Sequence, residues 1–183
     1  MEAAIGFFIP FLVYSMKQEK IVSSRTARYG NIVVATNFRS GLKIHLKKLS
    51  SFTHTVLKNL TFRRTALSLV FVSDSVIKRL NRKYLNHSWV TDVLAFPFLN
   101  IIGEKFALKN HSFLGEVVVS PKRAEVYAKR FRVPFQEELA RYVCHGILHL
   151  QGYSDHSQRA KIRMRRAEDK LLKLFVSKNK RIV

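Results

Sequence analysis

Residues 66–73 read ALSLVFVS, an almost continuously apolar run of strand length, and Asp74, directly after it, is placed to cap a helix through about Tyr84. In that helix Val76, Ile77 and Leu80 face inward. A strand that passes at once into an amphipathic helix points to an α/β chain, and the alternation recurs. NIVVATNF (31–38) reads as a strand. Residues 42–60 place Leu42, Leu46, Leu49, Phe52, Thr53, Val56 and Leu60 at helical spacing, with a basic outer side. TDVLAFPF (91–98) is a third strand, ended by Pro97, and a polar loop follows over 99–113. GEVVVS (115–120) is a fourth, and Pro121 suits the first turn of a helix to about Phe131. Helices are expected over Gln136–Leu150, stopped by Gly152, and over 157–176, with Ile162, Met164, Ala167, Leu171, Leu174 and Phe175 on the inner side. The expected architecture is α/β (α+β): a single domain, a mixed sheet of about four strands, and helices packed on it.

Composition narrows the partners. Hydrophobic residues make up 47% of the 183, enough for a core and too many for a disordered chain. The lone cysteine, Cys144, excludes a disulfide scaffold and a multi-cysteine zinc site, fits a reducing compartment such as the cytoplasm, and reads as a small buried hydrophobe. Lys and Arg total 33 against 12 Asp and Glu, a net charge of +21, which favours polyanionic partners such as RNA, DNA or an acidic membrane surface. The apolar run 3–15 is too short for a membrane span and lacks the basic start of a secretory signal. Met16 offers an alternative start. Residues 1–28 are therefore expected to lie outside the fold, 29–176 to form the domain, and 177–183 to be a basic tail.

The chemistry is concentrated in CHGILHLQGYSDH, residues 144–156. His145 and His149 lie four apart on a predicted helix and so share one face, while Leu139, Val143, Ile147 and Leu150 lie roughly opposite. Gly152 lets the chain turn back, bringing Asp155 and His156 within reach of the same point. Two imidazoles, one further ligand and an open fourth position are how catalytic zinc is held, at the C-terminal end of what is here a central helix. Position 146 is Gly, so the glutamate of an H-E-x-x-H protease is missing. A basic protein with a metal-water site and no such carboxylate points towards phosphodiester chemistry.

These segments resemble the YbeY family, bacterial endoribonucleases and ribosomal RNA maturation factors. HGILHLQGYSDH is similar to that family's H-G-x-L-H-L-x-G-Y-x-H, whose histidines bind zinc. LNRKYLNHSWVTDVLAFPF (80–98), LGEVVVSPKRAEVYAKRF and RRAEDKLL (165–172) resemble three more of its segments, so that the likeness runs from about residue 31 to 176. The resemblance implies one Zn²⁺ per chain on His145, His149 and a third ligand. Register with the motif favours Asp155, and a one-residue insertion at Ser154 would make it His156. It also implies hydrolysis of single-stranded RNA, maturation of the 3' end of small-subunit ribosomal RNA, and ribosomal RNA and the small ribosomal subunit as partners, with no stable membrane association. Leu85 stands where many members carry an arginine thought to serve catalysis, and Glu116 where the family often has Asp. An aliphatic side chain cannot pair with a phosphate. Arg82, Lys83 and Arg141 are the candidates to bind RNA in its place, and Leu85 supports an alternative, a non-catalytic ribosome-associated RNA-binding protein with a structural metal. The bases Arg159, Lys161, Arg163, Arg165 and Arg166 of the last helix face either RNA or solvent. His45, His54, His87 and His111 are isolated and expected to be exposed or locally satisfied.

Overall fold

The structure, a computed structural model, describes residues 21–25, 31–38, 40–97 and 112–179. The apolar run 3–15, Met16, His111, most of the 99–113 loop and residues 180–183 lie outside the described residues.

The strands are β1 (Ile21–Arg25), β2 (Ile32–Phe38), β3 (Thr65–Val72), β4 (Val93–Pro97) and β5 (Ser112–Val119). The helices are α1 (Leu46–Asn59), α2 (Asp74–Leu85), α3 (Pro121–Phe131), α4 (Phe135–Leu150) and α5 (Gln158–Asn179). The sheet has five strands in the order β1-β2-β3-β5-β4 rather than about four. The additional strand, β1, falls within the stretch expected to lie outside the fold and pairs antiparallel with β2, Val22 facing Ala35 and Ser23 facing Val34. β2–β3 and β3–β5 are parallel, and β4 closes the other edge antiparallel to β5.

The continuous apolar character of β3 follows from its place: every residue of Thr65–Val72 is buried, because helices cover both faces. One face carries Leu67, Leu69, Phe71, Val117 and Val119 against α1, α4 and α5. The other carries Val70, Val72, Leu94 and Val118 against Val76, Ile77 and Leu80 of α2. Burying a Leu- or Val-sized side chain contributes roughly 1.5–3 kcal/mol, so this two-sided core is the main support of the fold.

Two expectations need correcting. Ser73, not Asp74, is the N-cap of α2, and Asp74 sits in the first turn, where its carboxylate accepts a hydrogen bond from Ser120 Oγ. Ile162 is 45% exposed, not inward. The inner stripe of α5 runs through Ala160, Met164, Glu168, Leu171 and Phe175, and Ile162 falls about 200° from Ala160 around the helix. Of the isolated histidines, His54 is buried on α1, and His45 and His87 face solvent. Pro121 occupies the first turn of α3, and Cys144 is fully buried, burial pushing its thiol pKa upward. No helix among the described residues is long and apolar enough to cross a membrane.

Candidate active site

α4 lies on the sheet with Leu139, Ala140, Val143, Cys144, Ile147 and Leu148 buried and turns His145 and His149 to one edge of that contact, half-buried. The close seating depends on Gly146. A Cβ there would stand 2.3 Å from Val117 Cγ1 and 3.1 Å from Val93 Cγ2. The glycine inside the motif is therefore a packing requirement next to His145.

The helix ends with two reversed hydrogen bonds. Tyr153 N–H donates to Leu148 O at 3.0 Å and Gly152 N–H to His149 O at 2.9 Å, with Gly152 at φ +91°. This is a Schellman closure, and its left-handed residue is what sends the chain back. The return has two effects. It delivers Asp155 to the histidine pair, so that one ligand atom from each of His145, His149 and Asp155 lies within 4.8 Å of the others. It also presents the Tyr153 carbonyl to His149 Nδ1 at 2.9 Å.

A carbonyl only accepts, so His149 Nδ1 carries the proton and Nε2 is left with its lone pair. On His145, Nδ1 donates to Glu168 Oε1 at 2.8 Å, again freeing Nε2. The two Nε2 atoms are 2.9 Å apart. Two neutral imidazoles held with lone pairs converging repel unless a cation or a proton lies between them. The donor set, two imidazole nitrogens and a carboxylate with one imidazole backed by a buried carboxylate, fits a divalent transition metal, zinc included. The pKa values are split accordingly. Burial opposes the charge on His145, but the hydrogen bond and charge of Glu168 outweigh it and hold the pKa above its ordinary value. Burial and the neighbouring His145 push that of His149 down, only partly offset by the Tyr153 carbonyl.

A cavity of about 340 Å³ opens beside His145 and Asp155, lined among others by Asp92, Tyr127, Tyr142, Lys161 and Arg165. It can take a group of nucleotide size.

The residues singled out from sequence end up in different places. His145, His149 and Asp155 converge. His156 does not join them; it is exposed, and its backbone N–H donates to Ser154 Oγ at 3.3 Å. Arg141 borders the cavity, but carboxylates hold its guanidinium: Asp169 at 2.7 Å, Glu168 at 3.3 Å and Glu138 at 3.6 Å. Arg82 and Lys83 are exposed in the last turn of α2, away from the cavity lining. Lys161 and Arg165, one turn apart on α5, are the bases of that helix that reach the cavity. Sequence reasoning missed Glu168, which is 5% exposed and orients His145. A signal was present: Glu168 and Asp169 are the only acids in the strongly basic run Gln158–Asn179. Asp92, at the cavity wall, was quoted in a motif without a role.

The family described as endoribonuclease YbeY matches residues 34–176. Among relatives, an endoribonuclease YbeY of Thermodesulfovibrio yellowstonii is 39% identical over 127 residues, 69% of this chain and 74% of its own length. The endoribonuclease YbeY of Endomicrobium trichonymphae is 34% identical over 143 residues, 78% of this chain and 92% of its own. A solution structure of a Thermotoga maritima protein superposes with a TM-score of 0.53 at 25% identity, covering 76% of this chain and 88% of that one.

Proposed function

The chain belongs to the endoribonuclease YbeY family, and from that premise we propose that it is a zinc-dependent hydrolase of single-stranded RNA acting in ribosomal RNA maturation. The observation that carries the reading is the convergence of His145, His149 and Asp155 beside a cavity bordered by the bases Lys161 and Arg165.

His145 Nε2, His149 Nε2 and the Asp155 carboxylate would hold the ion. When bound with a position open, zinc supplies a water of lowered pKa and polarises a phosphoryl oxygen. The remaining work falls to the chain. Glu168 holds the ring of His145 in the tautomer that presents Nε2, and Arg141 Nη1, 3.3 Å from the other oxygen of the same carboxylate, helps to fix it in place. Lys161 borders the cavity with no ion pair to a described residue and would hold a phosphodiester there, with Arg165 beside it in looser contact with Glu168 at 3.5 Å and Asp169 at 3.8 Å. Asp92, on the same wall, is placed to accept a proton from a reacting hydroxyl or water. The 3' end of small-subunit ribosomal RNA is the substrate implied by the sequence resemblance, and the small ribosomal subunit in the cytoplasm is the corresponding partner and place.

One observation favours a second reading. Leu85, at the end of α2, is 51% exposed and offers no charge to a phosphate. This supports a ribosome-associated RNA-binding protein in which the metal is structural. The two readings separate in a cleavage assay on unstructured RNA with the zinc-loaded protein, the same protein after chelation, and His145→Ala. Zinc-dependent cutting that is lost in His145→Ala supports hydrolysis; binding without cutting supports the second reading. Metal analysis of Asp155→Ala and His156→Ala assigns the third ligand: Asp155→Ala should lose the ion and His156→Ala retain it. The reverse would overturn the ligand set.

A further inference from the structure

Outside the metal-ligand group, the segment after α2 carries an exposed aromatic surface in basic surroundings. Trp89 is 60% exposed and Tyr84 40% exposed, although both are large apolar rings that gain by burial. Trp89 is already engaged in stacking, its ring 4.2 Å from that of His87 at an interplanar angle of 19°. Tyr84 packs edge-on to Phe96 at 5.2 Å, with Lys83 Nζ 5.1 Å from its ring centroid. The surface is held rigidly. Asn86 reverses the chain in the left-handed conformation at φ 60°. Buried Asn81 then ties down both ends of the turn, its backbone carbonyl accepting from His87 N–H at 3.3 Å and its side-chain amide donating to the Trp89 carbonyl at 3.0 Å. A ring displayed on a pinned turn loses little freedom when it is covered.

The electrostatics select the kind of partner. Lys78, Arg79, Arg82 and Lys83 are exposed on the adjoining turns of α2, and none makes an ion pair with a described residue. Exposed rings interleaved with free cations are what single-stranded nucleic acid uses: bases stack on the rings while phosphates meet the charges. A duplex keeps its base faces stacked on one another and cannot use the rings. The surface is also close to the proposed reaction centre. Trp89 precedes Asp92, a wall of the cavity, by three residues, no more than about 11 Å of chain even fully extended.

We infer that Trp89, stacked on His87 and flanked by Tyr84 and the basic end of α2, is a base-stacking platform that receives single-stranded RNA and directs it into the neighbouring cavity. This rests on RNA being the substrate and adds where the strand is gripped. It also gives Arg82 and Lys83 a place: they act at the platform, not at the cavity. Trp89 is a positioning residue and touches no metal ligand.

The chain has a single tryptophan, so its fluorescence reports this surface alone. The full chain should be titrated with a short single-stranded oligoadenylate, confirmed intact by gel afterwards, while tryptophan emission and the anisotropy of a fluorescent label on the RNA are followed. The expected result is saturable quenching that tracks the anisotropy, with little quenching by an RNA duplex of equal length. Trp89→Ala should weaken single-strand binding roughly 5- to 150-fold, the range for loss of one stacked base, and Trp89→Phe should recover most of it. Zinc content should be unchanged in both variants. RNA binding by anisotropy with emission unmoved, or Trp89→Ala binding as tightly as the parent, would overturn the platform while leaving the nuclease reading intact. If the zinc-loaded parent neither binds nor cleaves single-stranded RNA, it is the nuclease reading beneath it that fails.

Discussion

Replacing Glu116 by Gln should stabilise the protein at neutral pH and leave it slightly less stable near pH 4.5. Glu116 stands on β5 opposite Ser68 of β3 and Phe96 of β4, is 3% exposed, and is hydrogen-bonded to Ser68 Oγ at 2.9 Å. Burial pushes its pKa up from 4.5 to about 8, and the Ser68 hydrogen bond opposes this only in part. Between those two values the folded protein keeps a proton that the unfolded chain has released. Stability linked to this group is therefore fully present below pH 4.5, falls as pH rises, and is lost above about 8. The whole window corresponds to about 5 kcal/mol, and the part already lost at pH 7 to about 3 kcal/mol. Glutamine cannot ionise and can still accept from Ser68, but burying its amide N–H groups costs roughly 1 kcal/mol. The net gain at pH 7 is about 2 kcal/mol, or roughly 4–8 °C in Tm for a chain of this size. Thermal unfolding by circular dichroism from pH 4.5 to 8.5 would show the variant slightly below the parent at the acidic end, the curves crossing at about pH 5 and diverging above it. Parallel curves across the range would refute the reasoning, since they would mean that Glu116 has the same pKa folded and unfolded.

Gly146→Ala should destabilise by up to about 2 kcal/mol, because overpacking against Val117 and Val93 costs roughly 1–3 kcal/mol and the helix-propensity gain returns only about 1. It should also weaken zinc binding by lifting His145, and a variant as stable and zinc-competent as the parent would show that α4 does not need its close seating. Glu168→Gln should lower zinc affinity roughly 10- to 100-fold by removing the carboxylate behind His145, measured by competition with a chromogenic chelator; unchanged affinity would remove Glu168 from the site.

Several parts of the molecule were legible because they rest on local physics. The almost continuously apolar letters of β3 record burial on two faces, and the four-residue spacing of His145 and His149 records helical geometry. β1 was not legible: IVSSR is short and pairs only along the sheet edge, so it carries no strong hydrophobic pattern. Nor was the insertion of β5 between β3 and β4, since strand order depends on pairing between segments distant in the chain.

At the site itself, the residues alone determined the donor chemistry, the shared helix face of the two histidines and the basic setting. They left Asp155 and His156 open, because both lie within reach of the turn at Gly152 and spacing carries no direction. In the tertiary structure the Schellman closure after Leu148 brings Asp155, and not His156, to the imidazole pair. The tertiary structure alone also brought Glu168, 23 residues away on another helix, behind His145, and paired Arg141 with carboxylates. Contacts between helices are set by how they pack across a core, and packing has no signature in the order of residues along either helix.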